Sequence, residues 1–123
     1  MERKLLAIVA ADMVGFSRLV ENNEIEILKR QKKHFIKIIK PTVNKYKGAI
    51  VKTTGDGFLA TFESSMSAVE SSLIIQSKIN ELESMFNNDK RIWYRFGINI
   101  GDVVIDEDDI FGNSVNIASR LES

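Results

Sequence analysis

The chain has 123 residues, 44% of them hydrophobic and 28% charged, enough for one soluble domain with a single core. It holds no cysteine and one histidine, which excludes disulfides, thiolate metal sites and a His-rich zinc site. Lys and Arg number 17, as do Asp and Glu, so no overall positive field draws nucleic acid.

Any metal would therefore be held by carboxylates, which favours a hard cation such as Mg²⁺ or Mn²⁺. Charge is uneven along the chain. Lysines and an arginine crowd 29–47, and Asp102, Asp106, Glu107, Asp108 and Asp109 crowd a later stretch. The basic segment lies on an expected helix and reads as a solvated face.

Leu5–Ala11 is a continuous apolar run ending at Asp12. It is far short of the roughly 20 residues of a membrane span. It reads as a strand buried on both faces, and the protein is expected in the cytoplasm. Gly15 permits a tight turn, and Phe16-Ser17 opens a short helix to about Glu21. Asn22-Asn23 breaks it, and Asn23 with Glu26 resembles a capping box. Ile25, Leu28, Phe35, Ile39, Val43 and Tyr46 then recur at helical spacing. Pro41 removes a helical hydrogen bond, so a kink is expected near Ile36–Lys40. Gly48 is expected to close this helix as its C-cap.

Two β-type runs follow, Ala49–Thr53 and Phe58–Phe62, around Thr54-Gly55-Asp56-Gly57. Asp56-Gly57 suits a type I′ hairpin turn, with positive φ at both central residues. Ser64 is expected to cap a further helix, with Val69, Leu73, Ile79 and Leu82 on its inner side. Asn87–Lys90 reads as a loop. Ile92, Tyr94, Phe96, Ile98 and Ile100 alternate with polar or small residues, the mark of a half-buried strand. A turn at Gly101-Asp102 leads to Val103–Ile105, then an acidic loop and a helix from about Ser114.

The resulting order is β-α-α-β-β-α-β-β-α. It predicts an α+β fold with a ferredoxin-like antiparallel sheet and helices on one face. The first strand is central and pairs with the hairpin strands, so Asp12 and Asp56 fall at one end of the sheet. Two carboxylates about 4 Å apart repel by about 4 kcal/mol at an effective dielectric of about 20. A pair of Mg²⁺ ions between them would remove that repulsion and form a clamp for phosphoryl chemistry. A backbone carbonyl near Met13 could complete the coordination.

Three stretches carry a family resemblance. Ala11-Asp12-Met13-Val14-Gly15-Phe16-Ser17 resembles the first metal motif of class III nucleotide cyclases. Lys52-Thr53-Thr54-Gly55-Asp56-Gly57 resembles their second, and Asp109–Arg120 their nucleotide and transition-state motif. The match is closest to bacterial adenylate cyclases with an N-terminal catalytic domain. The resemblance implies that Asp12 and Asp56 hold two Mg²⁺ or Mn²⁺ ions per site. It implies that Lys52 and Asp109 read the adenine edge of ATP, that Asn116 orients the ribose and that Arg120 stabilises charge on the α-phosphate. It also implies a head-to-tail homodimer with two composite sites. In the family the catalytic domain continues with further strands, so residues 1–123 are expected to form one domain incomplete at its C-terminal end. No nucleic-acid partner and no membrane span are expected.

Overall fold

A computed structural model describes residues 2–122. The sheet is built on β1 (Glu2–Met13), whose residues 6–11 and Met13 are buried. Its odd-numbered side chains Ala7, Val9, Ala11 and Met13 face one core cluster, and Leu6, Ile8 and Ala10 face another. This explains why the run is continuous rather than alternating: both faces of the strand are covered. The remaining strands are β2 (Ala49–Thr53), β3 (Gly57–Phe62), β4 (Tyr94–Asp106) and β5 (Asp109–Phe111), in sheet order β2-β3-β1-β4-β5. Every pairing is antiparallel. β1 is central as expected, but of the hairpin it pairs with β3 alone; β2 lies at the edge.

The first helical stretch is α1 (Phe16–His34), broken at Asn23, whose φ of −163° and ψ of 84° are not helical. Asn23 Oδ1 accepts from the Glu26 N–H at 3.3 Å, and Asn23 Nδ2 donates to Glu26 Oε2 at 3.1 Å. A π-helical turn over Phe35–Ile39 follows, and the N–H of Lys40 donates to the carbonyl of Phe35. Pro41 is the cause, since it has no N–H to continue the ordinary ladder into α2 (Lys40–Lys45).

The π turn also corrects the expected inner face. It adds a residue to one turn and rotates the helix face, so the spacing cannot be carried back from Phe35. Ile25 is 71% exposed and Leu28 is 42% exposed, whereas Ile27 and His34 are buried. At the other end, the left-handed residue is Lys47 (φ 59°) rather than Gly48. The N–H of Gly48 donates to Val43 and that of Lys47 to Asn44, a Schellman arrangement in which Gly48 is the residue after the left-handed one. Gly48 has a separate reason to be glycine: a Cβ there would strike the Phe62 ring.

Ser64 caps α3 (Ser65–Glu83), accepting from the Ser67 N–H at 3.3 Å. Its buried face is Ala68, Ser71, Ser72, Ile75 and Ile79, while Val69 and Leu73 point outward. Small residues let this helix sit close to its neighbours. The hydroxyls of Ser71 and Ser72 both donate to the carbonyl of Ala68, so both are satisfied. β4 runs straight through Gly101-Asp102, which pair with Leu6 and Leu5; the turn falls instead at Glu107-Asp108, with Glu107 at φ 58°. α4 (Asn113–Glu122) then packs Ala118 against Leu6, Ile8 and Ala10. The α+β antiparallel architecture is the one expected. α1 to α3 share one face, and α4 adds a layer on the other.

A polar network joins α1, α3 and β4 in the core. His34 Nε2 lies 3.0 Å from Glu83 Oε2 and His34 Nδ1 3.2 Å from the Tyr94 hydroxyl. Glu83 also accepts from the Ile92 N–H at 2.7 Å and forms an ion pair with Arg30. Among the described residues, no helix is long and apolar enough to cross a membrane.

Candidate active site

Two loop ends meet at one end of the sheet. Asp12 pairs directly with Gly57 across the β1–β3 ladder. The N–H of Met13 donates to the carbonyl of Asp56 at 2.9 Å, so the exit of β1 and the hairpin tip are bonded together. The tip is closed by the Thr54 N–H donating to the Gly57 carbonyl at 2.9 Å. It is not the expected type I′ turn: positive φ among the described residues is confined to Gly15, Lys47, Glu107 and Gly112. Gly57 is required by close approach instead, because a Cβ would run into the carbonyl of Ala11. Gln31 Nε2 donates to the Gly55 carbonyl at 3.1 Å and ties the tip to α1.

Asp12, Lys52 and Asp56 line one cavity of about 340 Å³ together with Val115, Ser119 and Glu122 of α4. Asp12 is 22% exposed, and its Oδ1 is buried with no hydrogen-bond partner. Arg95, opposite Asp12 in the β1–β4 register, brings Nη2 to 3.6 Å from that oxygen. Burial and then the Asp12 charge raise Asp56 above the usual carboxylate range, against its own backbone hydrogen bond and Arg95. Burial, then a hydrogen bond that the protonated Glu122 carboxyl donates to Asp12, then the Asp12 charge, push Glu122 up to about 7. With both groups ionised, Glu122 Oε2 is buried without a hydrogen-bond partner, like Asp12 Oδ1.

These observations fit a hard divalent cation. The donors are all oxygen, one of them is orphaned, and Arg95 offsets only part of the repulsion between Asp12 and Asp56. Among the described residues, no three His, Cys, Asp or Glu side chains stand in metal-holding geometry. A cation here would be held by the two carboxylates, with a backbone carbonyl at Met13 as a candidate third donor.

Lys52 Nζ donates to Asp109 Oδ2 at 3.1 Å, joining residues from β2 and β5. A register shift between Ile50 and Lys52 re-aims the lysine. The Ile110 N–H and then Lys52 hold Asp109 below the usual carboxylate range. Asn116 and Arg120 lie one turn apart on α4 and are exposed. They sit one position beyond Val115 and Ser119, so they point about 100° away from the cavity those two line. The chain thus gathers Asp12, Asp56 and the Lys52–Asp109 pair, and leaves Asn116 and Arg120 outside that cavity. Sequence reasoning did not find Arg95 or Glu122. Arg95 reads as the polar half of an alternating strand, and only the β1–β4 register sets it against Asp12.

A second cavity, about 250 Å³, lies behind the hairpin and includes Gln31, Phe35, Ile39, Phe58 and Tyr94 in its lining. No carboxylate is among its lining residues.

Comparison with known proteins agrees with this architecture. The sequence profile of the adenylate and guanylate cyclase catalytic domain matches residues 2–123. A relative from Rhizobium meliloti (strain 1021), named putative adenylate cyclase 3, is 36% identical over 98% of this chain and 21% of its own length. An adenylate cyclase of Streptomyces coelicolor is 35% identical over 96% of this chain and 29% of its own. The crystal structure of an adenylate/guanylate cyclase/hydrolase from Silicibacter pomeroyi superposes with a TM-score of 0.91 at 50% identity, covering 98% of this chain and 70% of that one. The fold is that of a nucleotide cyclase domain. The chain belongs to the adenylate and guanylate cyclase catalytic domain family. It spans under a third of the length of the two curated relatives described.

Proposed function

We propose that this chain converts ATP to 3′,5′-cyclic AMP and pyrophosphate at a site completed by a second copy of itself. The observation that carries the reading is the meeting of Asp12 and Asp56 in one cavity whose rim holds the Lys52–Asp109 pair. Asp12, Asp56 and the Met13 carbonyl would hold two Mg²⁺ or Mn²⁺ ions. Such ions neutralise the triphosphate and lower the pKa of the ribose 3′-hydroxyl.

Lys52 donates to adenine N1, and the Asp109 carboxylate accepts from the N6 amino group. Guanine presents the opposite pattern to both, so the pair favours ATP. The names of the two relatives support the same nucleotide. Asn116 orients the ribose. Arg120 stabilises the charge that builds on the α-phosphate as the 3′-oxygen attacks phosphorus and the bond to the pyrophosphate oxygen breaks. The hydroxyl proton leaves to solvent. Because Asn116 and Arg120 face away from their own chain's aspartates, a head-to-tail homodimer is the arrangement that unites them.

The test is a joint assay of cyclic nucleotide and pyrophosphate, with ATP or GTP and with Mg²⁺ or Mn²⁺. Equal amounts of cyclic AMP and pyrophosphate from ATP are expected, with GTP a poor substrate. Asp56→Ala should lower the rate about 100-fold or more. Metal-dependent ATP binding without pyrophosphate release would mark a catalytically silent nucleotide-binding module and overturn the reading.

A further inference from the structure

The outer face of the long helical segment carries charge and apolar surface that the proposed reaction does not use. From Ile27 to Gly48 the sequence holds eight basic residues and no acidic one. Arg30 turns inward to Glu83. The other seven are lysines, all exposed, and none makes an ion pair with another described residue. Lys29, Lys33 and Lys37 stand four apart, a spacing at which like charges destabilise a helix. Apolar side chains lie among them. Ile25, Lys29, Lys32 and Ile36 follow one another at intervals of four, three and four, which places them on one stripe of the helix. Ile25 is 71% exposed and Ile36 53%. Beside the stripe, a groove between this segment and α3 is lined by Lys33, Lys37, Lys78 and the 76% exposed Met85, with Glu81 as its acidic member.

We propose that this face docks the domain on a bilayer surface of anionic phospholipids, with the lysines among the headgroup phosphates and Ile25 and Ile36 in the apolar boundary beneath them. Charge complementarity argues for an anionic partner. The isoleucines argue for one that has an apolar layer under its charge, which a bilayer has. A nucleic acid would satisfy the lysines and leave the isoleucines in water, and the stripe holds no aromatic side chain to stack on bases. The face is also placed for the role. α1 to α3 cover one side of the sheet and α4 the other, so a pairing of copies through α4 leaves it open. The docking needs no part of the cyclisation chemistry.

The test is co-sedimentation of the whole chain with vesicles of phosphatidylglycerol and phosphatidylcholine. Vesicles of phosphatidylcholine alone and a DNA duplex are the other arms. The wild type should bind the anionic vesicles, leave them as salt is raised, and ignore the phosphatidylcholine vesicles. A lysine near an anionic surface is worth roughly a factor of five in affinity, so the triple variant Lys32→Gln, Lys33→Gln, Lys37→Gln should bind the anionic vesicles about 100-fold more weakly. The double variant Ile25→Ser, Ile36→Ser keeps every charge. Its affinity for the anionic vesicles should fall about tenfold or more, and its binding to DNA should not change. Both variants replace exposed side chains, so circular dichroism should show them folded as the wild type is. Failure of the wild type to bind anionic vesicles overturns the proposal. So does tighter binding to DNA than to the vesicles, or an isoleucine variant that binds the vesicles as the wild type does.

Discussion

Glu83 is 2% exposed, and a carboxylate in that position is tolerated only because every one of its partners is supplied. Burial alone would raise it. Hydrogen bonds from His34, Arg30 and the Ile92 N–H outweigh burial and hold it below its ordinary value of 4.5. Its contribution to stability is therefore fully present above about pH 4.5 and is lost as pH falls through the lower folded value. Glu83→Gln should destabilise the protein by about 3 kcal/mol at neutral pH, because the charged partner of Arg30 and His34 is lost and Arg30 keeps only Glu26 at 3.8 Å and the Lys90 carbonyl. It should also flatten the loss of stability between pH 5 and pH 3. Urea unfolding of both proteins across that range measures the two effects, and parallel curves would refute the assignment. At this scale the sequence reveals residues whose chemistry is local. Asp12 ends its own apolar run, and Asp56 and Lys52 sit in a turn and the strand that enters it. Glu83, His34, Arg95 and Glu122 were not legible. Each takes its meaning from a partner far along the chain, as with His34 and Tyr94, 60 residues apart.

Elements were read well where one period runs unbroken. β1, the hairpin, the break at Asn23 and the Ser64 cap all follow from local pattern and capping chemistry. The misreadings have physical causes. The Pro41-induced π turn shifts the phase of the helix before it, which put Ile25 on the wrong side. Small residues, Ala68, Ser71 and Ser72, form the first turns of the contact face of α3, which did the same for Val69 and Leu73. Gly101-Asp102 looks like a turn, but Gly101 is glycine because Ser114 of α4 crowds that point of β4. Glycines here mark close approach more than chain reversal. Gly97→Ala and Gly55→Ala make the contrast measurable. A Cβ on Gly97 strikes α4 backbone, whereas a Cβ on Gly55 meets nothing within 4 Å. Gly97→Ala should lower stability by about 1–3 kcal/mol, as overpacking does, and reduce cyclase activity by tilting α4. Gly55→Ala should change the unfolding midpoint little. Thermal unfolding with activity assays on the two variants checks both; equal behaviour would rule out the α4 contact as the reason for Gly97.

If Asn116 and Arg120 act as proposed, the whole molecule poses a problem of geometry that one copy does not solve. α4 presents two faces about 100° apart, one lining the cavity with Asp12 and Asp56, the other bearing Asn116 and Arg120. A group that must act on the α-phosphate cannot serve from the outward face unless another subunit brings its own metal site there. In a head-to-tail pair, each site takes its aspartates from one copy and its Asn116 and Arg120 from the other. Subunits carrying Asp56→Ala and subunits carrying Arg120→Ala should then each be inactive alone. Mixed in equal amounts and allowed to exchange, half the dimers contain one copy of each. In those, one site combines wild-type aspartates with a wild-type arginine, and the other has lost both. The mixture should regain about one quarter of the wild-type rate per dimer. Activity that stays at the level of the separate variants, under conditions where light scattering shows dimers exchanging, would mean that metal groups and arginine act within a single chain. It would also turn Asn116 and Arg120 back into residues of a solvated helix face.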